Sequence, residues 1–133
     1  MGALPPHPGR ILTDATNPWA SLEPTFVADS LDVGGSELVA SLLPDAHGIK
    51  AFDNLYDPYI AADPVTPAGR RILFHAGDDA DAKRKFRAVI EEFGFAPVDL
   101  GPLRMGRLMQ VSDGPLTGLH AIRQDVRHPA GLM

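Results

Sequence analysis

Hydrophobic positions along the chain change their spacing in a way that marks out one well-defined unit at residues 70 to 101. Ile72, Leu73 and Phe74 form a compact apolar run that ends at Gly77, as expected of a buried strand. Asp78 and Asp79 follow, and each can accept hydrogen bonds from the first free amides of a helix and favour its positive end. Ala82, Phe86, Val89, Ile90 and Phe93 then recur at helical spacing as one apolar stripe. Lys83, Arg84, Arg87, Glu91 and Glu92 fall mostly off that stripe, and Asp81 with Lys85 makes a favourable i,i+4 pair. Gly94 is placed to close the helix in a left-handed cap. Pro97, Val98 and Leu100 predict a second strand, at a sheet edge because proline cannot donate to a ladder. A strand-helix-strand unit of this kind predicts a parallel pair with a right-handed crossover.

Patterns on either side are shorter. Residues 1 to 9 hold three prolines and little to bury, which predicts a flexible arm. Arg10 to Asp14 predicts a strand centred on Ile11 and Leu12. It breaks at Ala15-Thr16-Asn17-Pro18-Trp19, where proline removes a donor and biases Asn17 away from helix. A polar turn beyond the carboxyl end of a strand is a candidate binding element in open α/β sheets. A plain turn, with Asn17 bonded to its own backbone, explains the same spacing. Residues 20 to 33 show no period. Gly34-Gly35-Ser36 opens a helix carrying Leu38, Val39, Leu42 and Leu43, and Pro44 stops it.

Gly48 to Phe52 predicts another strand, with Lys50 inside it as either a snorkelling side chain at the rim or a cation facing a bound anion. Residues 55 to 69 suggest a loop or a short helical turn. Leu103 to Arg123 is broken by Gly106, Gly114, Pro115 and Gly118, leaving room for a short helix over Leu116 to Ile122. The expected organisation is an arm (1–9), one α/β domain (10–123) and a loosely held tail (124–133). The domain should be partial Rossmann-like, a mostly parallel sheet of about four strands with flanking helices.

Composition narrows the chemistry more than the fold. With 133 residues the chain suits a single domain with a real core. A net charge of −5, with lysine and arginine mixed among acids, gives no basic stripe for nucleic acid. The chain lacks cysteine, which removes disulfides, thiol catalysis and zinc-thiolate sites together. No stretch nears the roughly 18 apolar residues of a membrane span, nor is there a signal peptide's apolar core, so the expected location is cytoplasmic.

Histidines 7, 47, 75, 120 and 128 have no metal-ligand spacing, and no metal site is expected. His75 stands out at the carboxyl end of a strand, although a packed histidine explains it as well. Asp78 and Asp79 form a carboxylate pair already accounted for by helix capping. There is no Gly-x-Ser-x-Gly elbow and no Gly-x-Gly-x-x-Gly phosphate cradle. Gly34-Gly35-Ser36 offers free amides to an anion, a weak signal.

Four blocks in order carry a resemblance. They are Asp14-Ala15-Thr16-Asn17-Pro18, Lys50-Ala51-Phe52-Asp53, Leu73-Phe74-His75-Ala76-Gly77-Asp78-Asp79 and Phe95-Ala96-Pro97-Val98-Asp99-Leu100-Gly101. Together with Gly106-Arg107-Leu108 and Gly114-Pro115-Leu116, they resemble the second half of the deazaflavin-coenzyme-dependent NADP oxidoreductases, and the related dinucleotide-binding domain of metalloreductases. The resemblance implies a Rossmann-type fold and hydride exchange between NADP(H) and a deazaflavin or flavin acceptor. In such enzymes the protein mainly holds two ring systems in contact, so no side-chain acid or base is obligatory and no catalytic residue is expected. Thr16, Asn17 and Pro18 would flank the nicotinamide end, and Lys50, Ala51 and Phe52 would line the same cleft.

Two departures from the family pattern are visible. The glycine-rich half and its arginine-bearing loop have no counterpart, the chain starting where the family's fourth strand should. The family's Lys-Ala-Phe-Asn also reads Lys-Ala-Phe-Asp, with Asp53 placing a negative charge near the expected cleft. An unpaired strand at 11–14 should then recruit a second copy into a homodimer, or a partner chain that supplies the missing half. The competing expectation is a non-catalytic assembly domain that has lost cofactor binding.

Overall fold

A computed structural model describes residues 5–17, 35–110 and 114–124. Pro18, Trp19 and Gly34, the irregular stretch 20–33 and most of the predicted tail lie outside those residues. Strands β1 (Ile11–Asp14), β2 (His47–Ala51), β3 (Val65–Thr66), β4 (Gly69–Gly77), β5 (Ala96–Asp99) and β6 (Ile122–Arg123) form a six-stranded sheet. Helices α1 (Gly35–Ser41), α2 (Asp57–Ala61) and α3 (Ala80–Glu92) flank it, with a 3-10 helix over Leu103–Met109.

The expected α/β architecture with flanking helices stands, but the strands are not all parallel. β1 pairs parallel to β2, and β4 pairs parallel to β5. Between these two pairs, β2 and β4 run antiparallel, with Ile49 opposite Gly77 and Ala51 opposite His75. The carboxyl ends of β2 and β4 therefore lie at opposite edges of the sheet. Sequence periodicity could not show this, because it reports which faces are buried and not strand direction. β3 and β6, two residues each, add antiparallel to β4.

The unit β4–α3–β5 forms as its pattern predicts. Asp79 caps α3, its carboxylate accepting the Ala82 amide at 2.7 Å. Asp78 instead accepts the Leu103 amide at 2.9 Å and so fastens the start of the 3-10 helix. Ala82, Phe86 and Ile90 pack with Ile49, Ala51, Leu55, Leu73 and Phe95 into the main core. Val89 and Phe93, assigned to the same stripe by spacing, stay exposed, so the buried stripe is the narrower i, i+4, i+8 row. Gly94 has φ +100° and closes the helix as expected. β5 pairs with β4 alone, which suits Pro97 at an edge.

Two stretches differ from expectation. Leu116 to Ile122 is not helical: a turn over 115–118 leads into β6. The 3-10 helix carries no 3.6-residue period. Its buried residues are Leu103, Gly106 and Met109, spaced by three, the repeat at which 3-10 side chains eclipse.

The cap at Asp79 gives a direct test of the central unit. Asp79→Ala should cost about 1 kcal/mol of stability. In urea unfolding, the midpoint should fall with the slope unchanged, because the surface exposed on unfolding is the same.

Candidate functional site

Strand alternation sends Ile49 and Ala51 into the core beneath α3 and turns Lys50, between them, to the other face. There the 3-10 helix covers it. A Cβ at Gly106 would lie 2.8 Å from Lys50 Cγ, so only glycine lets the two backbones approach this closely. Lys50 is fully buried, which rules out both the snorkelling reading and a cation awaiting an external anion.

Its anions are its own neighbours. Lys50 Nζ lies 3.3 Å from Asp14 Oδ2 and 3.4 Å from Asp53 Oδ2, and it donates to the Thr16 carbonyl. Asp14 in turn accepts from the Thr16 amide at 2.9 Å and the Thr16 hydroxyl at 2.7 Å. Asn17 Nδ2 donates to the Asp53 carbonyl at 2.9 Å. The turn after β1 and the turn after β2, two blocks 36 residues apart, are thus laced into one structure.

Backbone strain marks the same place. Phe52 has φ +71°, the only positive φ at a non-glycine among the described residues. Such a residue costs roughly 1–2 kcal/mol. Phe52 is held there by edge-on contacts with Phe86 and Phe95, each at 6.4 Å between ring centres. The kink ends β2 and turns Asp53 inward onto Lys50. Ala51 is fully buried in the core and Phe52 packs on the core, so neither side chain lines the cleft as the resemblance implied.

Asp53 and Asn54 lead into that cleft, which holds about 440 Å³. Asn17, Tyr56, Asp57, Thr117 and Gly118 also line it. The return segment is pinned from three sides: Gly118 donates its amide to the Asn54 carbonyl, Ile72 to the Ala121 carbonyl, and Arg71 bonds His120. His120 stacks on Tyr59 with ring centres 4.2 Å apart. The sequence places Asp53 near the expected cleft but singles out none of Asn54, Tyr56 or Thr117 as a site residue. The run Phe-Asp-Asn-Leu-Tyr after a strand was the available signal, since ligands in α/β sheets gather beyond carboxyl ends.

Electrostatically the floor of the cleft is anion-rich. Burial pushes the Asp53 carboxyl up from 3.8 to about 6; Asp14 adds to that rise, and Lys50 opposes it. Asp53 Oδ2 has the Lys50 ammonium at 3.4 Å as its partner, whereas Asn54 Oδ1 has no donor, although Asn54 Nδ2 reaches the Leu116 and Leu119 carbonyls at 3.4 and 3.5 Å. A buried carboxylate of raised pKa and an unpartnered amide oxygen beside a strained turn mark a functional-site candidate.

His75 lies elsewhere. It is fully buried in β4, 5.5 Å from the Phe86 ring, and neither ring nitrogen has a hydrogen-bond partner. Burial pushes its pKa below the ordinary histidine value, against the pull of Asp99. Asp78 and Asp79 are spent on amides at the opposite end of the sheet, where Asp79 Oδ2 also lies 3.7 Å from His47 Nδ1. Among the described residues no cluster of histidine and acidic side chains could hold a metal, and no helix is long and apolar enough to cross a membrane.

No family model and no curated protein matches the chain. Among solved structures, a hypothetical protein from Sinorhizobium meliloti is similar at 35% identity and a TM-score of 0.76, over 91% of this chain and 58% of that one. A putative F420-dependent NADP reductase from Arthrobacter sp. is similar at 20% identity and a TM-score of 0.58, over 75% of this chain and 47% of its own. The chain therefore spans about half the length of the structures it matches. The second likeness shows a shared α/β fold.

The Asp53 environment predicts an unusual pH dependence. Its folded pKa of about 6 exceeds the ordinary 3.8, so the native state binds the proton more tightly than the unfolded chain does. This group's contribution is most favourable below the unfolded pKa and is lost as pH rises through about 6. Asp53→Asn should therefore raise stability at pH 7.5, by up to about 3 kcal/mol. The gain should vanish toward pH 4, as read from urea midpoints across that range.

Proposed function

We propose that the chain is an oxidoreductase domain whose cleft holds the nicotinamide end of NADP(H) while a hydride passes to or from a deazaflavin or flavin ring. The observation that carries this reading is the joining of the two turns the resemblance assigns to the cofactor. Lys50 bonds the Thr16 carbonyl, Asn17 bonds the Asp53 carbonyl, and the joined turns open on a cleft of about 440 Å³. That volume falls in the range of ordinary small-ligand sites, roughly 300–1,000 Å³.

The residues present fit one part of the cofactor. The unpartnered Asn54 Oδ1 suits an N–H group of a carboxamide, and the Tyr56 ring offers an aromatic wall. The phosphates do not fit here, because the described lining includes Asp53 and Asp57 and no lysine or arginine. The cofactor, when bound, supplies the hydride. This chain's residues hold and orient its ring and keep water from it, which is the protein's main task in chemistry of this type.

Trp19, two residues after Asn17 and the only tryptophan, is the natural reporter. NADPH titrated against the intact protein should quench its emission saturably. Asn17→Ala, which removes the tie to the Asp53 carbonyl, should weaken binding by about tenfold, equivalent to one lost hydrogen bond of ordinary strength. No response up to millimolar NADPH in a folded sample would leave the assembly-domain reading in its place.

We further propose that β1 recruits a second copy of the chain. Among the described residues it is hydrogen-bonded to β2 alone, and Ile11 on it is exposed. A groove of about 390 Å³ lies beside it, lined by His7 and Arg10 together with Ile11, Leu12, Leu43 and Ala46. A free, partly apolar strand edge favours strand addition. Light scattering after sizing should give twice the monomer mass. Thr13→Pro, which removes a donor from β1, should shift the population toward monomer. A monomer at high concentration would instead point to a different partner chain.

A further inference from the structure

The cleft sorts ligands by charge, and here the chain departs from what its resemblance implies. Among the described residues it is lined by Asp53 and Asp57 and by no cationic side chain, with the Asp57 carboxylate exposed at the mouth and the Asp53 carboxylate buried behind the floor. Lys50 does not change this balance. Its ammonium is shared between two carboxylates, Asp14 and Asp53, so the buried group carries one surplus negative charge when all three are ionised. Asn54 provides a second and independent observation. It is 2% exposed and lines the cleft, and its Oδ1 has no donor although its amide nitrogen is directed to the Leu116 and Leu119 carbonyls. A buried acceptor left empty while its own donor is engaged selects a ligand that brings hydrogen.

We infer that this cleft is a site for a planar, positively charged or N–H-donating head group, and that it discriminates against anionic ones. The inference rests on the nicotinamide reading and adds a sign to it: the oxidised, pyridinium form of the cofactor is held more tightly than the reduced, neutral form. Two sources share the required chemistry, a pyridinium carboxamide and a free organic amidinium or guanidinium. Asp57 at the mouth, on the first turn of α2, draws such a cation in, and Asn54 meets it at the floor with the buried Asp53 charge behind it.

Three small probes separate the possibilities when titrated into the intact protein and followed by NMR shifts: 1-methylnicotinamide, a cation; nicotinate, an anion of similar shape; and benzamidine, a cation unrelated to the cofactor. The cations should bind at least about tenfold more tightly than nicotinate, as expected when attraction is exchanged for repulsion at contact distance. Asp57→Asn, an exposed position, should weaken 1-methylnicotinamide several-fold without unfolding the protein. Asp53→Asn should weaken it further, and a thermal melt on the same sample shows that the variant is folded.

Nicotinate binding as tightly as the cations would overturn the inference, as would cation binding indifferent to both substitutions. Binding of benzamidine and 1-methylnicotinamide without any response to either NADP+ or NADPH would keep the cation site and remove the dinucleotide reading. A response to NADPH with no preference among the probes would keep that reading and remove this one.

Discussion

Everything at the upper edge of this sheet depends on where one ammonium group goes. Lys50 is carried into the interior because strand alternation opposes it to Ile49 and Ala51, both committed to the core. An unpaired charge there would cost several kcal/mol, so the chain must bring anions to it. Asp14 ends β1, Asp53 follows the Phe52 kink, and the Thr16 carbonyl closes the set. Gly106 then lets the 3-10 helix lie on the lysine stem and exclude water. Removing Asp14 would leave Lys50 without its better-supported partner, and removing Lys50 would leave two buried carboxylates facing each other, so this part of the molecule is fixed by electrostatic necessity more than by apolar packing.

The antiparallel β2–β4 pairing divides the molecule into two working ends. At one end, β1 and β2 release their turns together and build the cleft. At the other, β4 releases Asp78 and Asp79, whose carboxylates are used up on the amides of the 3-10 helix and α3. One 3-10 helix connects the two ends, being tied at its start by Asp78 and seated at Gly106 on Lys50. A shift of that helix would be felt at both.

Much of this was legible in the sequence where local chemistry decides the outcome. The β4–α3–β5 unit announced itself through a compact apolar run, two capping acids, an i,i+4 stripe and a closing glycine. The Lys50-Ala51-Phe52-Asp53 block was recognisable as part of a site, but its geometry was not. Periodicity cannot say that Lys50 is buried, since nothing local distinguishes a rim lysine from one that meets two distant carboxylates. The inward turn of Asp53 hangs on a positive φ at Phe52, a residue type that rarely adopts it. The 3-10 helix escaped because its period is three, and the return of residues 114–123 onto β4 rests on long-range contacts such as Arg71 with His120.

Asp53 is the residue that makes least sense for stability alone and most sense for binding. Lys50 needs one carboxylate for charge balance, and Asp14 already supplies it with two supporting bonds from Thr16. A second carboxylate, fully buried and sharing that one ammonium, leaves a surplus charge that the fold must neutralise with a proton or leave uncompensated. An asparagine would hold the same shape without that cost. The surplus is useful only if something arrives to meet it, and the cleft at Asn54 is where a cation can come within reach. Proton and cation are then alternative answers to the same imbalance, and the strain at Phe52 keeps the carboxylate in place for either.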